Sequence, residues 1–266
     1  MIKPATTYRA ILVTLFLACV LLPFVQVLTL SLQATREHPG VLIGDFSWVN
    51  YQNIWLRPEL RASIINSILY VLLNIALSIP VALPAAYAFS RYRFMGDQHL
   101  FLMFIAFRIT PPVVLSLPLF QLFAQLNLIN SVAGIALAHC LFNIPITIWI
   151  LQGFIDAVPR EVDESAFIDG YSLPRFFLKI LIPMIKPGIG VAAFFCFMFS
   201  WIEVVFARIL TVTSGKPISM AINALFGFTT DMGLIMAMTI VSLLPGLVLI
   251  FFVRHHLSRG FQIGKM

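Results

Sequence analysis

Two ionisable side chains lie deep inside apolar stretches of this chain. Arg108 stands in the string FRITPP and Glu203 in SWIEVVFAR, with Arg208 about one helical turn further on. A charge at the centre of a membrane span costs about 2.5–3.5 kcal/mol on insertion scales, so such residues generally serve a function or an ion pair. Two interpretations are open: Glu203 forms a structural ion pair with Arg208 or Arg108, or these residues line a transport pathway.

Uncharged polar residues in the same stretches either bind a hydroxylated substrate or hydrogen-bond to neighbouring helices. This group comprises Asn66, Asn74, Gln121, Gln125, His139, Asn143 and Trp201. From it we select Asn143 and Trp201, together with Arg108 and Glu203, as candidates for a substrate pathway. For His139, satisfied packing is the favoured interpretation.

A second cluster of charged residues lies in the segment 156–187, DAVPREVDESAFIDGYSLPRFFLKILIPMIKP. It holds nine of the 28 charged residues, five acids and four bases, although the chain as a whole is 60% hydrophobic and 11% charged. Such a cluster faces water rather than lipid. Because it lies between two apolar stretches, we interpret it as a surface that a partner protein contacts.

The helix-starting and helix-ending residues of this segment predict two short helices at a sharp angle. Pro159 suits the first turn of a helix whose early acids favour the positive end of the dipole. Gly170 ends it as a left-handed cap. Ser172 can cap a second helix, which Pro183 and Pro187 are expected to close. Apolar surface comes from Ala166, Phe167, Tyr171, Phe176 and Phe177.

These groups must be positioned by a membrane bundle, because 60% hydrophobic content far exceeds the roughly 45–50% of soluble domains. The three cysteines lie in apolar runs without CxxC spacing and predict small buried residues rather than a disulfide or a metal site. The motifs GxxxxGK[ST] and HExxH are absent, so we predict neither a P-loop, nor a catalytic site, nor a metal. The net charge of +6 is interpreted as a membrane-topology signal and not as nucleic-acid binding.

Six stretches are long and apolar enough to span a bilayer, which needs about 20 such residues. They cover about 9–31, 63–89, 100–123, 132–154, 188–212 and 233–254. Several contain prolines that kink or break a helix and are typical of transporters. These are Pro80, Pro84, Pro111, Pro112, Pro118, Pro145 and Pro245.

The basic residues predict the orientation. With a cytoplasmic N-terminus, eleven Lys and Arg fall on the inside and four on the outside, which satisfies the positive-inside rule. Both termini and the segment 156–187 are therefore expected in the cytoplasm, with the chain multi-pass in a lipid membrane. The first span is expected to be a retained helix rather than a cleaved signal. In the outer loop 32–62, the aromatic stretch DFSWVNYQNIW suits either an interfacial belt or a docking surface.

The charged segment also resembles a known motif. Glu164-Ser165-Ala166, then Gly170 after three residues, then Ile180, Ile182 and Pro183 after nine more, is similar to the E-A-A-x3-G-x9-I-x-L-P loop of bacterial ABC importer permeases. The chain departs from the pattern at Ser165 and Ile182. The likeness extends from about residue 62 to the C-terminus, through INSILYVLLNIALSIPVALPAAYAFSRYRF, LINSVAGIALAHCLFNIPITIWILQGF and RHHLSRGFQIGKM.

The resemblance to permeases of the maltose-type carbohydrate family implies an all-α membrane fold, the six-helix type I importer permease with a cytoplasmic coupling helix. It implies a single permease domain over 1–266, located in a bacterial inner membrane. It also implies partners: a second permease chain, usually a different one, two cytoplasmic ATPases that bind ATP and Mg, and an extracytoplasmic substrate-binding protein. The residues implied in ATPase coupling are Glu164, Ser165, Ala166, Phe167, Asp169 and Gly170.

The substrate expectation rests on one departure from sugar permeases, which commonly carry S-W-N-E-F where this chain has Ser200-Trp201-Ile202-Glu203-Val204. The stretch FSWIEVVFARILTVTSGKPIS resembles permeases of glycerol and polyol importers, so glycerol or a small polyol is favoured over a large sugar. Two other classes stay as alternatives. A secondary, ion-coupled transporter would require internal repeats, and a membrane enzyme would require a catalytic constellation.

Overall fold

The computed structural model describes residues 4–33, 46–228 and 231–260. These ranges contain thirteen α-helices, one π-helical turn and an isolated antiparallel bridge between Gln33 and Phe46, but no β-strand. The helices in chain order are α1 (Pro4–Ser31), α2 (Val49–Leu56), α3 (Pro58–Arg91), α4 (Asp97–Ile109), α5 (Pro112–Gln125), α6 (Val132–Asp156), α7 (Arg160–Ile168), α8 (Leu173–Phe176), α9 (Ile182–Met184), α10 (Lys186–Ile202), α11 (Val205–Leu210), α12 (Ile218–Phe228) and α13 (Met232–Gly260).

Four helices are long and apolar enough to cross a membrane by themselves. Their apolar stretches are Ile11–Ser31, Pro58–Arg91, Val132–Asp156 and Met232–Phe251. Two bent pairs pass the same test together, Asp97–Ile109 with Pro112–Gln125 and Leu173–Met184 with Lys186–Ile202. With each bent pair taken as one span, the described residues hold up to six spans, which agrees with the predicted count.

The third predicted span, 100–123, is not a continuous helix, because α4 and α5 meet at an angle of 95°. Thr110 and Pro111 each precede a proline, and that position disfavours helical backbone. Both are extended, with ψ of 128° and 132°. By contrast, helices α3, α6 and α13 continue through isolated prolines. These are Pro80 and Pro84 in α3, Pro145 in α6 and Pro245 in α13. Consecutive prolines break a helix here, whereas isolated prolines do not.

The fifth predicted span, 188–212, is also corrected. Helix α10 ends at Ile202, and the shorter α11 begins at Val205 after two non-helical residues. The break occurs at Glu203, whose backbone is extended (ψ 130°) and whose carboxylate accepts the first N–H groups of α11. An acidic side chain that caps a following helix competes with continuation of the preceding one.

Three clusters of buried apolar side chains hold the bundle together. One joins α3, α6 and α10 to the segment 156–187 and includes Ala86, Leu151, Phe176 and Leu181. The second joins α2 and α3 to α10, α12 and α13. The third packs Tyr70 of α3 against α5, α6 and α11. Helices α3 and α6 are therefore the central pair of the described bundle, while α1 packs on α13 at the periphery.

A buried polar network links α3, α6 and α10. Asn143 donates to Asn74 Oδ1 at 2.6 Å and to Ser200 Oγ at 2.9 Å, and Ser200 Oγ also donates to Asn74 at 3.2 Å. Cys140 and Cys196 are buried beside it, as predicted, and accept or share hydrogen bonds. The third cysteine differs from expectation, because Cys19 is exposed on α1.

The aromatic stretch after α1 forms the short helix α2. The rings of Trp48 and Trp55 are 57% and 60% exposed, while Ile54 and Asn50 are buried. Exposed indoles next to an anchored helix suit the interfacial belt and the docking surface equally. Residues 34–45 of the predicted outer loop lie outside the described residues.

Candidate translocation cavity and coupling segment

A cavity of about 290 Å³ opens where two helices are broken. The α4–α5 bend contributes Arg108 and Pro112, and the α10–α11 break contributes Glu203 and Val204. Irregular backbone at membrane depth is tolerated where it lines a water-filled or protein-lined cavity. The full lining consists of Arg108, Pro112, His139, Phe142, Asn143, Phe199, Ile202, Glu203, Val204, Val205 and Phe206.

Glu203 is held in a fixed orientation at this break. Its Oε1 accepts the Phe206 N–H at 2.9 Å and its Oε2 accepts the Ala207 N–H at 3.3 Å. His139 Nε2 lies 3.3 Å from Glu203 Oε2. Among the described residues no ion pair joins Glu203 to Arg108 or Arg208. The interpretation of an arginine–glutamate pair is therefore wrong, and the structure pairs Glu203 with histidine instead.

Two polar atoms of the cavity residues have no hydrogen-bond partner. They are His139 Nδ1 and Asn143 Oδ1, in side chains that are only 4% and 1% exposed. An unsatisfied buried polar atom costs about 1–3 kcal/mol. A hydroxyl group both donates and accepts, so it can pair with His139 Nδ1 in either tautomer and with the Asn143 carbonyl. Both atoms belong to residues that line the cavity but are covered by protein, so a hydroxylated ligand would reach them only after the wall rearranges.

Arg108 and Trp201 have different surroundings. The Arg108 guanidinium lies 3.8 Å from the centre of the Phe199 ring, a cation–π contact, and also borders a smaller cavity of about 150 Å³ beside Trp149. Trp201 does not line the cavity. Its indole donates to the Ser242 carbonyl at 3.0 Å and stacks on Phe197 in the apolar core. Of the four residues selected from the sequence, the structure brings together Arg108, Asn143 and Glu203.

His139 lines the cavity, although the sequence analysis favoured packing for it and did not select it as a pathway residue. It precedes Asn143 by four residues on α6, and residues four apart share one face of a helix. Because Asn143 was selected, this spacing was the sequence signal that could have identified His139 as a cavity residue. The pairing with Glu203 could not be deduced, because it depends on the break between α10 and α11.

The segment 156–187 begins with the short helix α7. Gly170 follows it with φ of +82°, a left-handed conformation that glycine adopts at little cost. The Tyr171 N–H bonds to the Ala166 carbonyl at 3.0 Å and closes the turn. Most residues of the motif are exposed, among them Glu164, Ser165, Phe167, Asp169 and Gly170. Ala166 is the exception, since it is only 4% exposed and packs in the protein's own core.

The second half of the segment differs from the prediction. The Ser172 side chain makes no capping hydrogen bond to α8. The chain stays helical through a π-helical turn, Phe177–Leu181, and through α9, and then bends by 83° into α10. Pro183 lies in the last residues of this helical stretch, which ends at Met184 as predicted, whereas Pro187 stands in the first turn of α10 and begins a helix. Proline is compatible with a first turn because the N–H there needs no helical partner.

A buried contact that was not predicted fixes α7 to the end of α3. Arg91 Nε lies 2.8 Å from Asp163 Oδ2, and the two side chains are 7% and 8% exposed. The Tyr87 hydroxyl donates to the same carboxylate oxygen at 2.9 Å. These partners are more than 70 residues apart in sequence. The only local signal was an acid, Asp163, next to the apolar positions of a short amphipathic helix.

A helical bundle with broken spans around a cavity is typical of membrane transport proteins. The chain belongs to the family of binding-protein-dependent transport system inner membrane components, whose pattern matches residues 74–263. It is 28% identical to the trehalose transport system permease protein of Mycobacterium tuberculosis, over 98% of this chain and 97% of that protein. It is 26% identical to the melibiose/raffinose/stachyose import permease protein of Bacillus subtilis, over 99% of both.

A solved structure shares the fold. The bacterial ABC transporter involved in the import of the acidic polysaccharide alginate superposes with a TM-score of 0.78 over 94% of this chain and 95% of that chain, at 19% identity. The predicted all-α type I importer permease fold and the carbohydrate importer family are therefore confirmed. As a permease subunit the chain is not itself an enzyme and binds no cofactor, since partner ATPases handle ATP.

Proposed function

We propose that the chain forms half of the translocation pathway of an ATP-driven importer and that the cavity between the broken helices is its substrate site. The observation that carries this proposal is the cavity itself, which opens where two helices are broken and is lined by the polar residues His139 and Asn143. Arg108 and Glu203 border the same cavity and add ionisable groups to its wall. The family match favours this mechanism over a secondary transporter.

A small polyol is the proposed substrate, with glycerol as the first candidate and a short sugar as the second. The cavity volume of about 290 Å³ lies at the lower end of the roughly 300–1,000 Å³ of drug-sized ligand sites. The relatives reported above are named for trehalose and for melibiose, raffinose and stachyose, and identities below 30% do not carry a substrate over. The choice between polyol and sugar therefore depends on the cavity.

The end of the bundle that carries α7 is proposed to face the cytoplasm. Six basic residues of the predicted inner loops belong to this end, Arg91, Arg93, Arg160, Arg175, Lys179 and Lys186. The positive-inside rule supports this orientation and the placement of both termini. The opposite end, with α2, would then receive substrate from an extracytoplasmic binding protein.

The exposed surface of α7 is proposed as the contact with the ATPases. Phe167 is 40% exposed and Ile168 is 85% exposed, an apolar projection flanked by Glu164 and Asp169. An amphipathic helix with such a projection suits a groove on a partner. The proposed assembly contains a second permease chain, which is a different polypeptide, and two ATPase subunits. The bacterial alginate transporter solved in complex with a pentasaccharide-bound periplasmic protein shares the fold at a TM-score of 0.71, and it supports a binding protein as a further partner.

The substitution His139→Leu tests the substrate site. Uptake of labelled glycerol, and of trehalose in parallel, is measured in proteoliposomes that contain the assembled importer and ATP. We expect the concentration for half-maximal uptake to rise by at least about tenfold, the effect of losing a polar contact in a desolvated site.

Thr147→Val is the matched control, because Thr147 is buried on the same helix outside the cavity and bonds to Cys196. Its uptake should stay within about twofold of wild type. Normal half-saturation in His139→Leu would contradict the substrate site. Uptake by wild type without ATP or ATPase would contradict the importer mechanism itself.

A further inference from the structure

The contact between α7 and α3 is a buried polar site with several hydrogen bonds to one carboxylate. Asp163 accepts Arg91 Nε at 2.8 Å and the Tyr87 hydroxyl at 2.9 Å on one oxygen, and Arg91 Nη2 at 3.4 Å on the other. Arg91 Nη2 also donates to the Val158 carbonyl at 2.8 Å. A buried ion pair is stable only when further hydrogen bonds satisfy its remaining atoms, and here they do.

A second set of bonds ties the end of α6 and the start of α7 to the same turn of α3. The Ser90 hydroxyl donates to Asp156 Oδ1, and Arg160 Nη2 donates to the Ser90 carbonyl at 3.4 Å. Within the described residues, the side-chain hydrogen bonds of α7 to other helices all run to the last turns of α3. The contact of α7 with α8 is instead apolar, through the Phe167 and Phe176 rings at 5.3 Å.

Helix α7 therefore has two faces with separate partners. Asp163 and Ala166 point into the protein, while Glu164, Ser165 and Phe167 are exposed. A helix displaced by a partner on its outer face must pass that displacement to whatever its inner face contacts. Because that polar contact is with α3, motion of α7 would pass directly to α3.

Helix α3 continues without a break from this contact toward the cavity wall. Asn74 lies 17 residues before Arg91, about 25 Å along a helix. Asn74 Oδ1 accepts a hydrogen bond from Asn143 Nδ2 at 2.6 Å, and Asn143 lines the cavity. Two other connections lead from α7 toward the cavity. Helix α6, which carries Asn143, ends at Asp156, and three residues separate it from the start of α7. The second route passes through α8, a π-helical turn and the 83° bend before α10.

We propose that Tyr87, Arg91 and Asp163 form a rigid joint through which α7 and α3 move as one body, so that these are positioning residues for the coupling of ATP hydrolysis to transport. The proposal rests on the proposed function, since it requires an ATPase on α7. It predicts a loss of coupling rather than a loss of assembly when the joint is weakened.

The first experiment compares Asp163→Asn with Glu161→Gln in the complete importer with its binding protein. Glu161 is the matched control because it is an exposed acid of the same helix outside the joint. The readout is the amount of substrate transported per ATP hydrolysed. For Asp163→Asn we expect this ratio to fall by at least about tenfold while ATP hydrolysis changes by less than about threefold, within the usual range of coupling free energies.

The ratio separates positioning from stability, because a merely structural loss would lower transport and hydrolysis together. An unchanged ratio in Asp163→Asn, with wild type active, overturns the joint and leaves the proposed function intact. Absence of ATP-driven uptake in wild type overturns the proposed function instead.

The second experiment decides the case in which Asp163→Asn fails to assemble. Ser90→Cys and Arg160→Cys are combined in a Cys19→Ser background, since Cys19 is the exposed cysteine and the Arg160 side chain reaches the Ser90 carbonyl. A short bifunctional thiol reagent then ties the end of α3 to the first residue of α7. If the joint is rigid, the cross-linked importer keeps uptake within about twofold of the untreated variant. Loss of uptake on cross-linking shows that the joint must open and overturns the proposal.

Discussion

The cavity and the α3–α7 joint are both polar sites in an apolar bundle, but they are built in opposite ways. In the cavity, His139 Nδ1 and Asn143 Oδ1 lack partners. In the joint, the Asp163 carboxylate accepts three hydrogen bonds. A site that exchanges a ligand needs unused hydrogen-bonding capacity, whereas a site that transmits force needs every group fixed. The two sites therefore differ in how completely their polar groups are paired.

The backbone shows the same contrast. Both helix pairs beside the cavity are interrupted, at Thr110–Pro111 and at Glu203–Val204. Helix α3, which leads away from the joint, is continuous for 34 residues despite Pro80 and Pro84. Broken helices can change their relative angle, while a continuous helix carries a displacement along its length.

The largest expected effect comes from removing one partner of the joint. Arg91→Ala leaves the Asp163 carboxylate buried without its cation, which typically costs about 3–5 kcal/mol. The free energy of unfolding in mixed micelles measures this loss. Adding Asp163→Leu to the same variant should recover most of the stability, because no uncompensated charge then remains.

Arg93→Ala is the control, since Arg93 is exposed two residues further along. Its cost should stay within about 0.5 kcal/mol. Equal losses in Arg91→Ala and Arg93→Ala would mean that the buried pair contributes nothing to the fold, and the contrast between joint and cavity would fail.

The next effect is at the turn that orients α7. Gly170→Val forces a β-branched residue to φ of about +82°, a strain of about 1–3 kcal/mol. A Cβ at this position meets no atom within 4 Å, so the strain is conformational and not steric. We expect uptake to be abolished while the protein still inserts in the membrane. Wild-type uptake in this variant would rule out the assignment of the coupling loop.

Gly170→Asn separates backbone strain from loss of the glycine itself. Asparagine enters the left-handed region more readily than valine, so this variant should retain most of its uptake. If Asn and Val are equally inactive, the position needs a bare backbone for contact with a partner rather than a particular turn.

At the cavity, Glu203→Gln should change transport more than stability. The amide oxygen still caps α11, so we expect a loss of only about 0.5–1 kcal/mol in unfolding free energy. The charge beside His139 disappears, and we expect the substrate concentration for half-maximal uptake to rise several-fold. Glu59→Gln, an exposed acid in the first turn of α3, is the control. A stability loss without any change in uptake would make Glu203 a purely structural cap.

The sequence predicts the class of fold and one end of α7 well. Apolar stretches fix the number of spans because their length matches the bilayer, and Gly170 marks a turn because few other residues adopt its conformation. The break at Thr110–Pro111 also follows from consecutive prolines. Each of these signals is local, so one stretch of sequence contains all of it.

The remaining features depend on contacts between distant segments. The end of α10 at Glu203 has no proline or glycine to mark it, and depends on the side chain capping α11. The pairing of Asp163 with Tyr87 and Arg91 joins residues separated by 76 and 72 positions. Likewise, Trp201 was a reasonable pathway candidate by depth, but only the packing shows that its indole bonds to Ser242. One sequence does not specify such partners.

The smallest expected effect compares two neighbouring residues of the motif. Ser165 is exposed, so Ser165→Ala should raise stability by at most about 0.5 kcal/mol through helix propensity and leave uptake unchanged. Ala166→Ser instead puts a hydroxyl in a site that is 4% exposed, at a cost of about 1–3 kcal/mol. Thermal unfolding and uptake of the two variants therefore test whether the inner face of α7 is core and its outer face a partner surface. If Ser165→Ala lowers uptake instead, the hydroxyl itself contacts the partner, and the departure from alanine at this position is specific to this importer.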